Sequence, residues 1–362
     1  AAMLLPRLLL LFACLLATWK LACALLRRRR AFLISGLHTL RHSHTIHTHL
    51  AFVDFPFLFR RSLEFGLFRT YAIPSISCTL SQAGHFAKNA SKRYDDTDIL
   101  VRELVMHHAD GDRGSLALRR LNFIHSQYKI SNADFLYVLS IFVLLPLEWI
   151  SKYGYRALTN VEKTSVFTLW HDIGTRMGIR DIPSSLKDFA VYKEDYESKH
   201  MVYSNTNKEI AEMTMKLLLS EMPAFFRPIA RKLVYAFMDD RLRKAMGYPR
   251  QPEWLSAFVL GMVKMHGYVV SWMLPRPLNC AEIRIPSGCP ASQGALFDPE
   301  ALHKLLWQRY EPYTYKEGYK LKEVGAMKPG CLGIAYPGEL LLPLSQCNNL
   351  PWPLPLVRKP HM

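Results

Sequence analysis

Residues 116–128 read LALRRLNFIHSQY, and the spacing of their apolar side chains decides how the chain folds. Leu118, Leu121 and His125 fall at i, i+3 and i+7, which is one face of an α-helix, while Arg119 and Arg120 fall off that face. The same period governs the neighbouring sequence. It predicts helices over 93–107, 113–128, 132–150, 159–178, 186–200, 205–221, 223–246 and 252–273. Asn132 before Asp134, Thr159 before Glu162, and Pro223 read as helix starts. Strand signals are confined to 281–286 and 319–324, so the predicted fold is all-α, a mainly helical single domain.

Upstream, 52–77 reads FVDFPFLFRRSLEFGLFRTYAIPSIS, a strongly aromatic stretch that Pro56, Gly66 and Pro74 punctuate into short pieces. Its apolar start suits burial or apposition to a membrane. Residues 4–26 form a different kind of segment. From Leu8 to Leu26 the only charge is Lys20, and nineteen helical residues reach across a hydrocarbon core of about 30 Å. Four arginines, Arg27 to Arg30, follow the apolar run instead of preceding it, which is the order of a membrane anchor and not of a cleaved signal peptide. Positive flanks remain cytosolic, so the body of the chain is expected on the cytosolic side of an internal membrane, with Lys20 extending its ammonium to the interface.

The chain carries a net charge of +16 over 362 residues, but the excess is uneven. Arg7, Lys20, Arg27 to Arg30 and Arg41 precede the first acidic residue, and the rest is diluted among carboxylates. This distribution reports membrane orientation and anionic lipid rather than nucleic acid, for which no binding motif is present. Seven cysteines without a C-x-x-C pair support neither a disulfide framework nor a cysteine zinc site. Five histidines (38, 42, 44, 47 and 49) crowd the segment after the anchor; without a carboxylate or cysteine beside them, 27–51 reads as a basic, His-rich juxtamembrane linker. A domain is expected over 52–330 and an irregular Pro-rich tail over 331–362, where six of the 22 prolines lie.

The chemistry is expected on two helices, because the G-x-S-x-G, H-E-x-x-H, G-x-x-x-x-G-K-[ST] and G-x-G-x-x-G signatures are all missing. A histidine facing a core is most often a satisfied structural residue. Nevertheless His125 is also what a haem pocket needs: one neutral nitrogen for iron within an apolar surround, from a helix that offers no second ligand. In KRYDDTDILVREL (92–104), Arg93 and Thr97 lie one turn apart and offer a guanidinium fork and a hydroxyl to a haem propionate or to dioxygen. The plainer reading is a helix N-terminus with Asp95 and Asp96 against the dipole. Asp239 and Asp240, alternating with Arg241, Arg243 and Lys244, read as a salt-bridged face.

Several of these segments carry a family resemblance. DFPFLF (54–59), FGLFRTYAIPSIS (65–77), KRYDDT (92–97), LYVLSIFVLLPLEWI (136–150), DYESKHMV (195–202), MDDRLRKAM (238–246), LPRP (274–277) and, more weakly, GYKLKEVG (318–325) occur in order. As a set they resemble the MpaB-type ER-bound oxygenases of fungal mycophenolic acid biosynthesis and, more distantly, the bacterial rubber oxygenases (latex clearing proteins). The resemblance implies a helical bundle around haem b, with dioxygen used to split C=C bonds of prenylated or isoprenoid substrates. It places the proximal histidine on His125 and the distal arginine and threonine on Arg93 and Thr97. The distal lysine of rubber oxygenases falls on Asp96, a departure, since a carboxylate is not the same iron ligand. A histidine that bacterial relatives carry in the next helix falls on Leu139. The expectation is an oxidoreductase with a lipophilic substrate, membrane lipid around its anchor and no nucleic-acid partner, located at the endoplasmic reticulum. Two other readings stay open: a non-catalytic membrane-tethered scaffold or lipid binder, and a non-haem metalloenzyme using the His-rich segment.

Overall fold

The chain folds, in a computed structural model that describes residues 4–37, 39–220, 222–276 and 325, into thirteen α-helices with no strand among the described residues. The Pro-rich tail and both strand segments expected from the sequence lie outside the described residues. In order the helices are α1 (Leu4–Ser35), α2 (Thr39–His49), α3 (Pro56–Thr70), α4 (Pro74–Ala83), α5 (His85–Met106), α6 (Asp112–Ser126) and α7 (Asn132–Tyr153). There follow α8 (Asn160–Arg176), α9 (Leu186–His200), α10 (Asn205–Ser220), α11 (Arg227–Phe237), α12 (Asp240–Ala245) and α13 (Glu253–Ser271).

Helix α7 organises the body. It is apolar and long enough to cross a membrane, yet about two thirds of its apolar window is buried in protein, so it is a core helix. Leu136, Leu139, Phe142, Val143 and Leu144 join a core built with Leu50 and Ala51 and with α3, α5, α6, α8 and α9. Tyr137, Ile141 and Leu145, on another side of the same helix, join a second core with α4, α9, α10 and α12. Where α3 packs on α7, Gly66 is an interior helix residue and not the break that the sequence suggested. A Cβ there would lie 2.6 Å from Ile141 Cγ2, so only glycine lets the two helices meet at this distance.

Local signals set most boundaries. Pro56 and Pro74 each open a helix in its first turn, where a missing N–H costs nothing. Thr159 and Glu162 form a reciprocal capping box, and Ser131 caps α7 by accepting from the Asp134 amide. The segment 223–246 is not one helix. Asp239 accepts from the Leu242 amide and caps α12, which ends α11 at Phe237.

The linker reading of 27–51 also differs from the structure. Residues 27–35 continue α1, and 39–49 form α2, which packs along α8 with Ile46 and His47 buried. Ile46 and Leu50 at i and i+4 supply the apolar stripe that the density of histidines obscures. His47 is fully buried with neither ring nitrogen hydrogen bonded, and desolvation first, then His44, lowers its pKa to about 3. Among the described residues no group of three His, Cys, Asp or Glu is arranged to hold a metal ion.

Helix α1 is long and apolar enough to cross a membrane, and only 6% of its apolar window is buried. The four arginines that follow its apolar run, Arg27 to Arg30, divide into two pairs. Arg28 and Arg29 are exposed. Arg27 instead is buried, donates to the Val270 and Met273 carbonyls at 2.7 Å each, and lies over the Tyr155 ring. Arg30 donates to the Arg276 carbonyl at 2.5 Å and pairs with Asp54, which also binds Arg156. These donors satisfy carbonyls that the end of α13 leaves open.

Candidate functional site

Helices α3 to α8 enclose one large cavity of about 240 Å³, counted as space open to the centre of a water molecule. Leu67 of α3, Ile76 and Leu80 of α4, Leu100 and Leu104 of α5, Ile124 of α6, Val138 and Phe142 of α7 and Ile173 of α8 make its wall predominantly apolar. Polar groups border it as well: Arg93, Asp96 and Thr97 from α5 and His125 from α6, the two helices that the sequence singled out, together with Thr70, Thr79, Tyr128 and Asp134.

His125 stands where the helical stripe puts it. Leu118 on the same face is buried in the core, while the imidazole borders the cavity, edge-on to Phe135 with ring centroids 5.2 Å apart. Its Nδ1 is buried without a hydrogen-bond partner. Burial under the surrounding helices, and then the positive charge of Arg93, lower its pKa to about 4. The ring is therefore neutral near pH 7, the form in which an imidazole can donate a lone pair.

Arg93 and Thr97 face the same space and are tied to each other. The guanidinium donates from Nη1 to Thr97 Oγ1, and the hydroxyl donates to the Arg93 carbonyl at 2.9 Å. The Arg93 guanidinium also lies 5.7 Å from the centre of the Phe86 ring. Asp96 borders the cavity but is otherwise buried, and Lys92, one turn earlier, donates to both carboxylate oxygens at 2.9 Å. The negative charge of Asp96 is thus matched by an ammonium from a residue outside the cavity wall. Leu139 lines the cavity from α7 and closes against Gly174, where a Cβ would lie 2.6 Å from Leu139 Cδ2.

Sequence reasoning missed the wall supplied by α4 and α8, together with Tyr71, His85 and Trp170. Tyr71 and His85 lie at helix junctions, where periodicity gives no orientation. Trp170 sits on the buried stripe of α8 with Val166 and Ile173, and its indole nitrogen is buried without a partner.

Outside the cavity, four of the signature segments meet at one buried ion network. Arg69 of α3 binds Glu197 of α9 through Nε–Oε1 at 2.7 Å and Nη2–Oε2 at 2.5 Å, and also binds Asp239. The Tyr137 hydroxyl donates to Glu197 at 3.0 Å and Arg241 approaches it at 3.6 Å. Burial alone would lower the Arg69 pKa, but the paired carboxylates more than reverse that and raise it. The Asp239 segment is accordingly structural, with no acid–base role toward the cavity.

Fold and site together define a helical protein with an oily internal chamber bordered by the uncharged His125 imidazole and the Arg93 guanidinium. That class has a family. Residues 52–266 match the family described as ER-bound oxygenase mpaB/B′/Rubber oxygenase, catalytic domain. The chain is 31% identical over 322 residues to ER-bound oxygenase mpaB′ of Penicillium brevicompactum, covering 77% of this chain and 76% of that one. It is 35% identical over 321 residues to ER-bound oxygenase mpaB of the same organism, covering 74% and 81%. To ER-bound oxygenase mpaB of Penicillium roqueforti (strain FM164) it is 36% identical over 214 residues, covering 54% and 72%. The chain belongs to this mpaB/rubber oxygenase family and is an oxidoreductase of the oxygenase type.

Proposed function

We propose that the protein is a membrane-anchored, haem b-dependent oxygenase that cleaves a C=C bond in a lipophilic prenylated or isoprenoid substrate. The observation that carries this reading is His125: a neutral imidazole with an unpartnered buried nitrogen, at the wall of an apolar cavity and in the field of Arg93. These residues suit a haem: His125 would be its proximal ligand, the leucine, isoleucine and phenylalanine wall would cover the macrocycle, and Arg93 would meet negative charge. The bound group would supply the dioxygen chemistry. The protein's own part is to exclude water, to seat an apolar chain against the α4 and α8 walls, and to hold a fixed cationic donor where negative charge develops. A donor already oriented in a water-poor site costs no reorganisation and is worth far more than in bulk water. Thr97 would position the Arg93 guanidinium by accepting its hydrogen bond. Asp96, neutralised by Lys92, would leave Arg93 as the principal charge facing the imidazole.

Helix α1 would anchor the protein in the endoplasmic reticulum membrane as a single pass, with the domain on the cytosolic side. The ER-bound relatives, the apolar helix and the exposed Arg28 and Arg29 after it support this placement. A greasy substrate dissolved in the bilayer could then reach the domain without crossing water.

The test is an absorption spectrum of the purified full chain, as isolated, after haemin addition, and reduced with carbon monoxide. A Soret band that is lost in His125→Ala but kept in Arg93→Met is the expected result. Arg93→Met should also lower turnover by roughly 10²-fold. Colourless protein that takes up no haemin, or an unchanged band in His125→Ala, would overturn the cofactor assignment.

A further inference from the structure

Helix α13 carries an apolar face that none of the described elements covers. Trp254, Ala257, Phe258, Gly261, Met262, Met265, Tyr268 and Val269 are all exposed and fall at i, i+3, i+4, i+7, i+8, i+11, i+14 and i+15, a single stripe about 22 Å long. The opposite side of the helix is seated on the body. His266 packs on Phe57 with ring centroids 4.3 Å apart, and at Gly267 a Cβ would collide with the Tyr153 carbonyl. Packed against α13 is α11, and at its start Phe225, Phe226 and Ile229 are exposed as well. This much contiguous apolar surface needs an occupant.

The contacts with α1 identify it. Trp19 Nε1 donates to the Trp272 carbonyl at 2.8 Å, Cys23 Sγ approaches the same carbonyl at 3.6 Å, and Arg27 donates to Val270 and Met273. Trp19 and Cys23 precede Arg27 by eight and four residues, so they lie about 12 and 6 Å deeper along the apolar helix than the arginine. The last turn of α13 therefore reaches below the level of the arginines, into the layer that the apolar part of α1 occupies. Lys20 gives a second, independent sign. The lone charge within the apolar run does not extend to the interface; it donates to Ser271 Oγ and lies 4.9 Å from the Trp272 ring centre and 5.5 Å from that of Tyr268. A cation in an apolar layer is held by a hydroxyl and two aromatic faces that α13 carries into that layer.

We infer that α13 is a second membrane-contacting element. Its exposed stripe lies in the acyl-chain and headgroup boundary of the leaflet that α1 enters, with Trp254 and Tyr268 near its two ends as interfacial aromatics. The domain is thereby clamped to the bilayer at a fixed attitude and does not swing on a flexible tether. The inference rests on the reading of α1 as an anchor.

The experiment places a photo-crosslinking residue, p-benzoylphenylalanine, singly at Phe258, Met262 or Met265 of the full chain. Leu10 of α1 serves as the anchor reporter and exposed Val191 of α9 as the aqueous control. Each protein is irradiated in phosphatidylcholine–phosphatidylinositol vesicles and analysed by intact mass. Lipid adducts at Leu10 and at the three α13 positions, at least tenfold above Val191, are the expected result. Adducts at Leu10 alone would overturn the inference and leave the anchor standing. Adducts at neither would remove the anchor and the inference with it. Covalent dimers through 258, 262 or 265 would assign the stripe to a second copy of the chain and also overturn it.

Discussion

Replacing Glu197 tests the buried ion network most directly. The carboxylate accepts two hydrogen bonds from Arg69 and one from Tyr137, and it is almost completely buried. In Glu197→Leu, Arg69 keeps only Asp239, whose side chain is half exposed and which also caps α12. Breaking a buried pair by removing one partner typically costs about 3–5 kcal/mol, because the remaining charge is stranded away from water. For a domain of this size each kcal/mol moves Tm by about 2–4 °C, so a fall on the order of 10 °C is expected. The double variant Arg69→Met/Glu197→Leu removes both charges and should recover most of that loss, giving a coupling of about 2 kcal/mol or more. Thermal unfolding of the detergent-solubilised chain, followed by helical circular dichroism, reads both values. A single-variant loss below about 1 kcal/mol, or a double variant as unstable as the sum of the singles, would refute the claim that this pair is a buried and coupled tie between α3 and α9.

Two further outcomes follow from packing and protonation. His47 is held near a pKa of about 3 in the folded protein, whereas an unfolded chain titrates it near 6.5, so only the unfolded state takes up a proton between these values. Its contribution is complete above pH 6.5 and disappears as pH falls toward 3; at pH 4.5 it should cost about 2–3 kcal/mol relative to pH 7, an upper bound set by the size of the shift. His47→Leu should flatten this part of the pH–stability curve and cost little at pH 7, since neither ring nitrogen loses a partner; an unchanged curve would argue against burial of the neutral ring. Gly66→Ala should destabilise by about 1–3 kcal/mol through its clash with Ile141 Cγ2, and much less in an Ile141→Ala background, as measured by the same melts.

Much of the helical order was legible because it is local. Prolines at first turns, the Thr159–Glu162 box and the stripe through Leu118, Leu121 and His125 all act within a few residues of themselves. The site was legible to the same extent: Arg93, Thr97 and His125 border one cavity because each sits on the face its helical spacing dictates. What stayed hidden depends on distant partners. Gly66 looks like a breaker until Ile141 is placed across from it, and α2 looks like a linker until α8 covers Ile46 and His47. The walls from α4 and α8 have no marker except apolarity, which a core residue shares. Arg27 to Arg30 were read by charge alone, which is compatible with the exposed Arg28 and Arg29 but hid the two that bind carbonyl oxygens of the protein.

Those two arginines change what the leader segment is. If residues 1–31 were trimmed to obtain a water-soluble enzyme, the Val270, Trp272, Met273 and Arg276 carbonyls would lose every side-chain donor that α1 gives them, and Asp54 would keep Arg156 without Arg30. The shortened protein would then carry a frayed end of α13 beside an uncovered oily strip, so poor behaviour in solution would reflect a lost part of the architecture and not merely a lost address.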